Sequence, residues 1–133
     1  MKPVLLGLFA IVFLASCATR VALTPTDRVP AAVAKMKLSS DKNDNTNVKL
    51  KIEHLAPADK LRGDLTVYVV WVRDAGTSDW KNVGQLKIGD DREGGREFSV
   101  PYREFDLIVS AEADGEATEP GEHVVLEGQG RRK

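Results

Sequence analysis

The 133-residue chain has a single cysteine, Cys17, so no disulfide can form within it and no cysteine pair can hold a metal or run redox chemistry. Aromatics are scarce, with four Phe, two Tyr and two Trp, and neither charge sign dominates: 19 Lys and Arg face 20 Asp and Glu. A nucleic-acid-binding domain would carry a basic stripe with interleaved aromatics, and none is present. Nor is there an apolar run long enough to cross a bilayer, which takes about 20 residues. The longest, residues 4–15, has twelve and contains Gly7.

What that short run does have is the layout of a cleaved secretory segment. Lys2 precedes it, and the small residues Ala15 and Ser16 follow its apolar part, in the order of basic, apolar and small-residue regions. The run closes as Leu14, Ala15, Ser16 and Cys17, which resembles the lipobox of bacterial lipoprotein signal peptides. The resemblance implies cleavage between Ser16 and Cys17, a diacylglycerol on the Cys17 sulfur and an acyl chain on its nitrogen, with no other cofactor. Two or more acyl chains hold a protein stably on a membrane where one does so only marginally. By the sorting pattern of that family, Ala18 in place of aspartate implies the outer membrane, with the domain facing the periplasm.

Once residues 1–16 are removed, 117 remain, with 18 Lys and Arg against 20 acids. That length suffices for one domain with its own core. Residues 17–34 form the lipidated cysteine and a segment with Pro25, Pro30, threonines and alanines, expected to be a flexible tether; alternatively, Pro30 opens a short helix through Ala34. Residues 35–127 are expected to be a β-domain, and residues 128–133, ending Arg131, Arg132 and Lys133, a solvated basic tail able to touch anionic lipid.

The β expectation rests on period-two patterning. Val48, Leu50 and Ile52 alternate with Lys49, Lys51 and Glu53, which places one face inside and one in water. Around Trp71 the chain is apolar on both faces, so this strand is expected to be central and Trp71 to sit in the core. Further strands are expected at 81–88, 96–100, 104–113 and 122–127, with Phe105, Leu107, Val109 and Ala111 facing inward, and Met36 and Leu38 open the series. Segments 41–47, 74–79, 89–95 and 114–121 are rich in turn residues. About seven strands in this space suit an all-β, antiparallel, immunoglobulin-like or fibronectin-like sandwich.

Residues 68–71 (Tyr-Val-Val-Trp), 83–86 (Val-Gly-Gln-Leu), 105–112 (Phe-Asp-Leu-Ile-Val-Ser-Ala-Glu), Pro120 and 124–128 (Val-Val-Leu-Glu-Gly) resemble the extracytoplasmic domain of anti-sigma-K factors. The likeness spans about half the chain and implies a β-sandwich. The matched residues include neither the sigma-binding region nor the internal membrane helix of that family, so anti-sigma activity does not carry over.

No catalytic or metal constellation assembles from the sequence. Asp41, Asn43 and Asn45 imitate the opening of a calcium loop, but Thr46 and Ile52 stand where glycine and glutamate are needed. His54 and His123 have no partner at ligand spacing. The acids Asp90, Asp91 and Glu93, and Glu112, Asp114, Glu116 and Glu119, lie where carboxylates are ordinarily solvated. Gly94 and Gly95 read as a tight hairpin rather than a phosphate cradle. Trp80 is the one candidate partner contact, by stacking on a sugar ring or anchoring a protein. The expectation is an outer-membrane lipoprotein bearing a non-enzymatic module that binds or scaffolds an envelope protein or polymer. The alternative is a small periplasmic hydrolase or metal-dependent enzyme.

Overall fold

The computed structural model describes residues 18–133. Eight strands fill most of them: β1 (Thr19–Pro25), β2 (Val33–Ser40), β3 (Thr46–Glu53), β4 (Val67–Asp74), β5 (Lys81–Leu86), β6 (Gly94–Val100), β7 (Glu104–Glu112) and β8 (Val124–Arg131). One four-residue helix, α1 (Ala58–Leu61), precedes β4. All pairings are antiparallel, in the order β5-β4-β7-β8-β1-β2-β3-β6. Odd-numbered strands therefore run one way and even-numbered strands the other, and the two edges, β5 and β6, face each other in the sense that would close a barrel. They form no ladder, so the sheet is nearly closed rather than closed.

The seam is bridged by a side chain instead. Arg96 of β6 donates from Nε to the Val83 carbonyl at 3.0 Å and from a terminal nitrogen to the Gln85 carbonyl at 3.3 Å, both on the β5 edge. Gly84, at φ +128°, leaves the room: a Cβ there would lie 2.1 Å from the Arg96 guanidinium. A charged side chain that occupies edge carbonyls is one way a sheet edge is kept from pairing with other chains.

Alternation places Leu38, Val48, Leu50, Ile52, Tyr68, Val70, Val72, Phe105, Leu107 and Val109 in one core. The inward sets expected for β3 and β7 are thus found. Tyr68 is buried with its hydroxyl on the Ala56 carbonyl, and burial, reinforced by the charge of Asp59, pushes its phenol well above the usual tyrosine range.

Five expectations need correction. Residues 19–25 are not a tether: Thr19–Leu23 pair with β2 and Thr24 and Pro25 with β8, and Leu23 is buried. No helix starts at Pro30, since Val33 and Ala34 already belong to β2. Alternation supplies the reason, because Val21 and Leu23 turn inward between exposed Arg20, Ala22 and Thr24. Residues 128–131 of the expected basic tail are also strand. Gly128 and Gly130 admit the Leu23 and Phe105 side chains, which a Cβ at either position would meet at 2.0 and 2.5 Å.

Beyond β8, Arg132 is 6 % exposed and donates to Thr46 Oγ1 at 3.0 Å and to Asp44 at its carbonyl (3.0 Å) and its carboxylate (2.8 Å). Gly94 and Gly95 do not turn a hairpin but open β6, and the turn lies just before them, where Arg92 N–H meets the Gly89 carbonyl. Trp71 is fully buried yet lies outside the core cluster. It alternates with Tyr68, Val70 and Val72 and so faces the other side of the sheet.

Candidate functional site

The far side of β4 and β7 is divided between a covered half and an open half. In the covered half, Val69 and Trp71 of β4 stand beside Ser110 and Ile108 of β7. Trp71 Nε1 donates to Ser110 Oγ at 2.8 Å, Ser110 donates to Glu112 Oε1 at 2.7 Å, and the Gly121 amide donates to the same oxygen at 2.7 Å. Asn82 Nδ2 holds the Gly115 and Ala117 carbonyls, each at 3.0 Å. The 113–123 connection is thereby strapped over the sheet, which is why Trp71 is dry without being in the core. Ser110 is fully buried and both its hydrogen-bonding roles are taken, so it is no exposed nucleophile.

The open half is a groove of about 600 Å³. Arg73 and Asp106 are directly opposed across β4 and β7 and bond through Nε and Oδ2 at 2.8 Å. Their side chains are 32 % and 17 % exposed, so this pair is partly shielded from the screening that makes exposed pairs nearly worthless. Trp80, half-buried, lies with its ring centroid 4.3 Å from the guanidinium carbon, within cation–π range. Ile108 lies at the base, and Glu127 and Gln129 add polar groups from β8. The arrangement offers an aromatic ring, an oriented ion pair and hydrogen-bonding side chains, which is binding chemistry.

Of the residues singled out in the sequence, Trp80 is the one this groove contains. It covers Arg73 rather than the core. Ser16 and Cys17, with the segment before them, lie outside the described residues. The Asp41 carboxylate accepts the Asn43 and Asn45 amides at 2.8 and 2.9 Å, and the Asn43 amide, then that of Asn45, holds it below the usual carboxylate range. It therefore shapes the turn before β3. His54 is exposed at φ 58° just after β3, while the His123 ring lies 3.5 Å from both Arg62 and Glu122. Asp91 and Asp114 accept the amides of Glu93 and Glu116. Among the described residues no three His, Cys, Asp or Glu come together in a way that could hold a metal ion.

Arg73, Asp106 and Ser110 were not found by sequence reasoning. A signal existed for the first two, since each is a charge inside an otherwise apolar strand. The cross-strand register that unites them did not show in the chain itself. No family model matches the chain, and no curated protein matches it either.

Proposed function

We propose that the protein is a lipoprotein of the outer membrane, cleaved after Ser16 and acylated on Cys17, whose β-domain serves in the periplasm as a non-enzymatic binding or scaffolding module. The observation that carries the reading is the Leu14-Ala15-Ser16-Cys17 sequence closing a twelve-residue apolar run. The groove at Trp80 supplies the contact surface. Among envelope proteins and polymers, its chemistry suits a saccharide polymer, whose rings present a flat apolar face to the face of an aromatic ring and hydroxyls to Arg73, Asp106 and Gln129.

At the finer level we read the fold as a sandwich of two four-stranded halves, β1-β2-β3-β6 and β5-β4-β7-β8. Supporting this, β1 pairs with β2 over five residues and with β8 over only two. An immunoglobulin-like order would put the second and third strands in opposite halves, whereas β2 and β3 pair over eight residues. The sandwich is kept in the proposal without that connectivity.

Two experiments test the function. Labelled palmitate should mark the wild type and not Cys17→Ser, and persistent labelling of the variant defeats the lipoprotein reading. Purified protein should co-sediment with insoluble cell-wall glycan, and Trp80→Ala should weaken this about tenfold, the loss of an aromatic hot spot. Equal sedimentation of the two removes the groove from the function.

A further inference from the structure

All connections from an odd to an even strand gather at one end of the barrel, and all those from an even to an odd strand gather at the other. The second end comprises the turns 41–45, 75–80 and 101–103, and residues 18 and 132–133. Here β1 begins, at Thr19, two residues after Cys17. Two residues span at most about 7 Å, so no tether separates a lipid on Cys17 from this end of the fold.

Charge divides between the ends in the same sense. The connections at the far end, 26–32, 54–66, 87–93 and 113–123, hold ten Asp and Glu against five Lys and Arg. The 113–123 connection alone has Asp114, Glu116, Glu119 and Glu122 with no Lys or Arg. At the near end, three acids face four bases: Lys42, Arg103, Arg132 and Lys133. Arg103, Arg131, Arg132 and Lys133 line one hollow there, with Glu104 as its sole acid. Arg132 is committed to Asp44 and Arg131 bonds Glu104 at 3.0 Å, which leaves Arg103 and Lys133 exposed at its rim. Basic groups close to an anionic leaflet are attracted within a Debye length, and acidic ones are repelled.

We infer that the near end of the barrel rests directly on the membrane surface, with Arg103 and Lys133 against the phosphates of anionic phospholipid headgroups and the acidic end turned away. The inference rests on acylation of Cys17. Strands of six to nine residues, tilted as in a barrel, hold the acidic end roughly 20 Å farther out. The Trp80 groove, on the barrel wall close to the near end, then opens sideways just above the headgroups.

With its one cysteine acylated, the full-length protein accepts a unique thiol label. Lys42→Cys at the near end and Asp90→Cys at the far end are spin-labelled and placed in vesicles of phosphatidylethanolamine and phosphatidylglycerol doped with a nickel-chelating lipid. Mass spectrometry of the same samples reports the acyl chains. The label at 42 should be broadened at least threefold more than that at 90. Adding Arg103→Glu and Lys133→Glu, with circular dichroism unchanged, should reduce the difference, as should replacing the lipids with phosphatidylcholine. Acylated protein with equal broadening at both positions overturns the inference alone. Unacylated protein overturns the lipoprotein reading and the inference together. A difference indifferent to charge reversal and to lipid overturns the headgroup contact.

Discussion

The two tryptophans have opposite duties although one lies in β4 and the other in the connection that follows it. Trp71 is fully buried with its indole nitrogen satisfied by Ser110, so Trp71→Ala should cost about 3–5 kcal/mol by cavity formation and lost packing. Trp80 covers a guanidinium at the surface, and its loss should cost only about 0.5–1 kcal/mol of stability. Urea denaturation of the two variants separates these roles. Tyr68 supplies a pH prediction. Its phenol is raised in the fold and ordinary, at about 10, in the unfolded chain. The unfolded state alone therefore sheds its proton above that value. The stability contribution is full below pH 10 and is lost as pH rises beyond it. Denaturation midpoints of the wild type should fall between pH 9.5 and about 11 more steeply than those of Tyr68→Phe, whose phenol is absent. Equal slopes would assign the alkaline loss to other groups.

Among the elements, β1 and the end of β8 are the ones that composition disguised. Threonine, alanine and proline made β1 resemble a linker, and two glycines and three basic residues made the end of β8 resemble a tail. Both are held by partners remote in sequence: β1 by β2 and β8, and Arg132 by Asp44 and Thr46. Trypsin should therefore cleave slowly at Arg20, which is paired in β1, and faster at Arg92, which is exposed in a turn. Preferential cleavage at Arg20 would restore the tether. Arg132→Ala should cost about 1–3 kcal/mol, the range for a lost charged hydrogen-bond group, against less than about 0.5 for Lys133→Ala at the exposed surface. Thermal melts distinguish the pair. The inward sets of β3 and β7, by contrast, were legible, because Val48, Leu50, Ile52 and Phe105, Leu107, Val109 keep a strict period of two.

For the molecule as a whole, near-closure leaves one seam, and Gly84 and Arg96 decide its state. Gly84→Ala places a methyl group where the guanidinium lies and forces a side chain into φ +128°, a conformation that glycine alone tolerates readily. The displaced Arg96 uncovers the Val83 and Gln85 carbonyls. The variant should be less stable, and it should self-associate through the freed β5 edge at high concentration. Sedimentation velocity checks this, and a monomeric variant would show that Arg96 does not guard the edge. The seam is what near-closure leaves, whereas the strapped face over Trp71 and the Trp80 groove arise where β4 and β7 lie side by side.

The local order of residues was enough to establish an all-β chain, most strand positions, the inward sets of β3 and β7, and the apolar segment ending at Cys17. Each depends on neighbours within a few positions, which is the range over which hydrophobic periodicity acts. Tertiary structure alone decided that β1 and the end of β8 belong to the fold, that Trp71 is buried outside the core, and that Arg73, Trp80 and Asp106 meet. Those outcomes depend on register between strands, in pairs from 11 residues apart (Leu23 with Ala34) to 103 (Thr24 with Glu127), and on space left by glycines. Neither is written in the spacing of adjacent residues, and both appear only once the strands have paired.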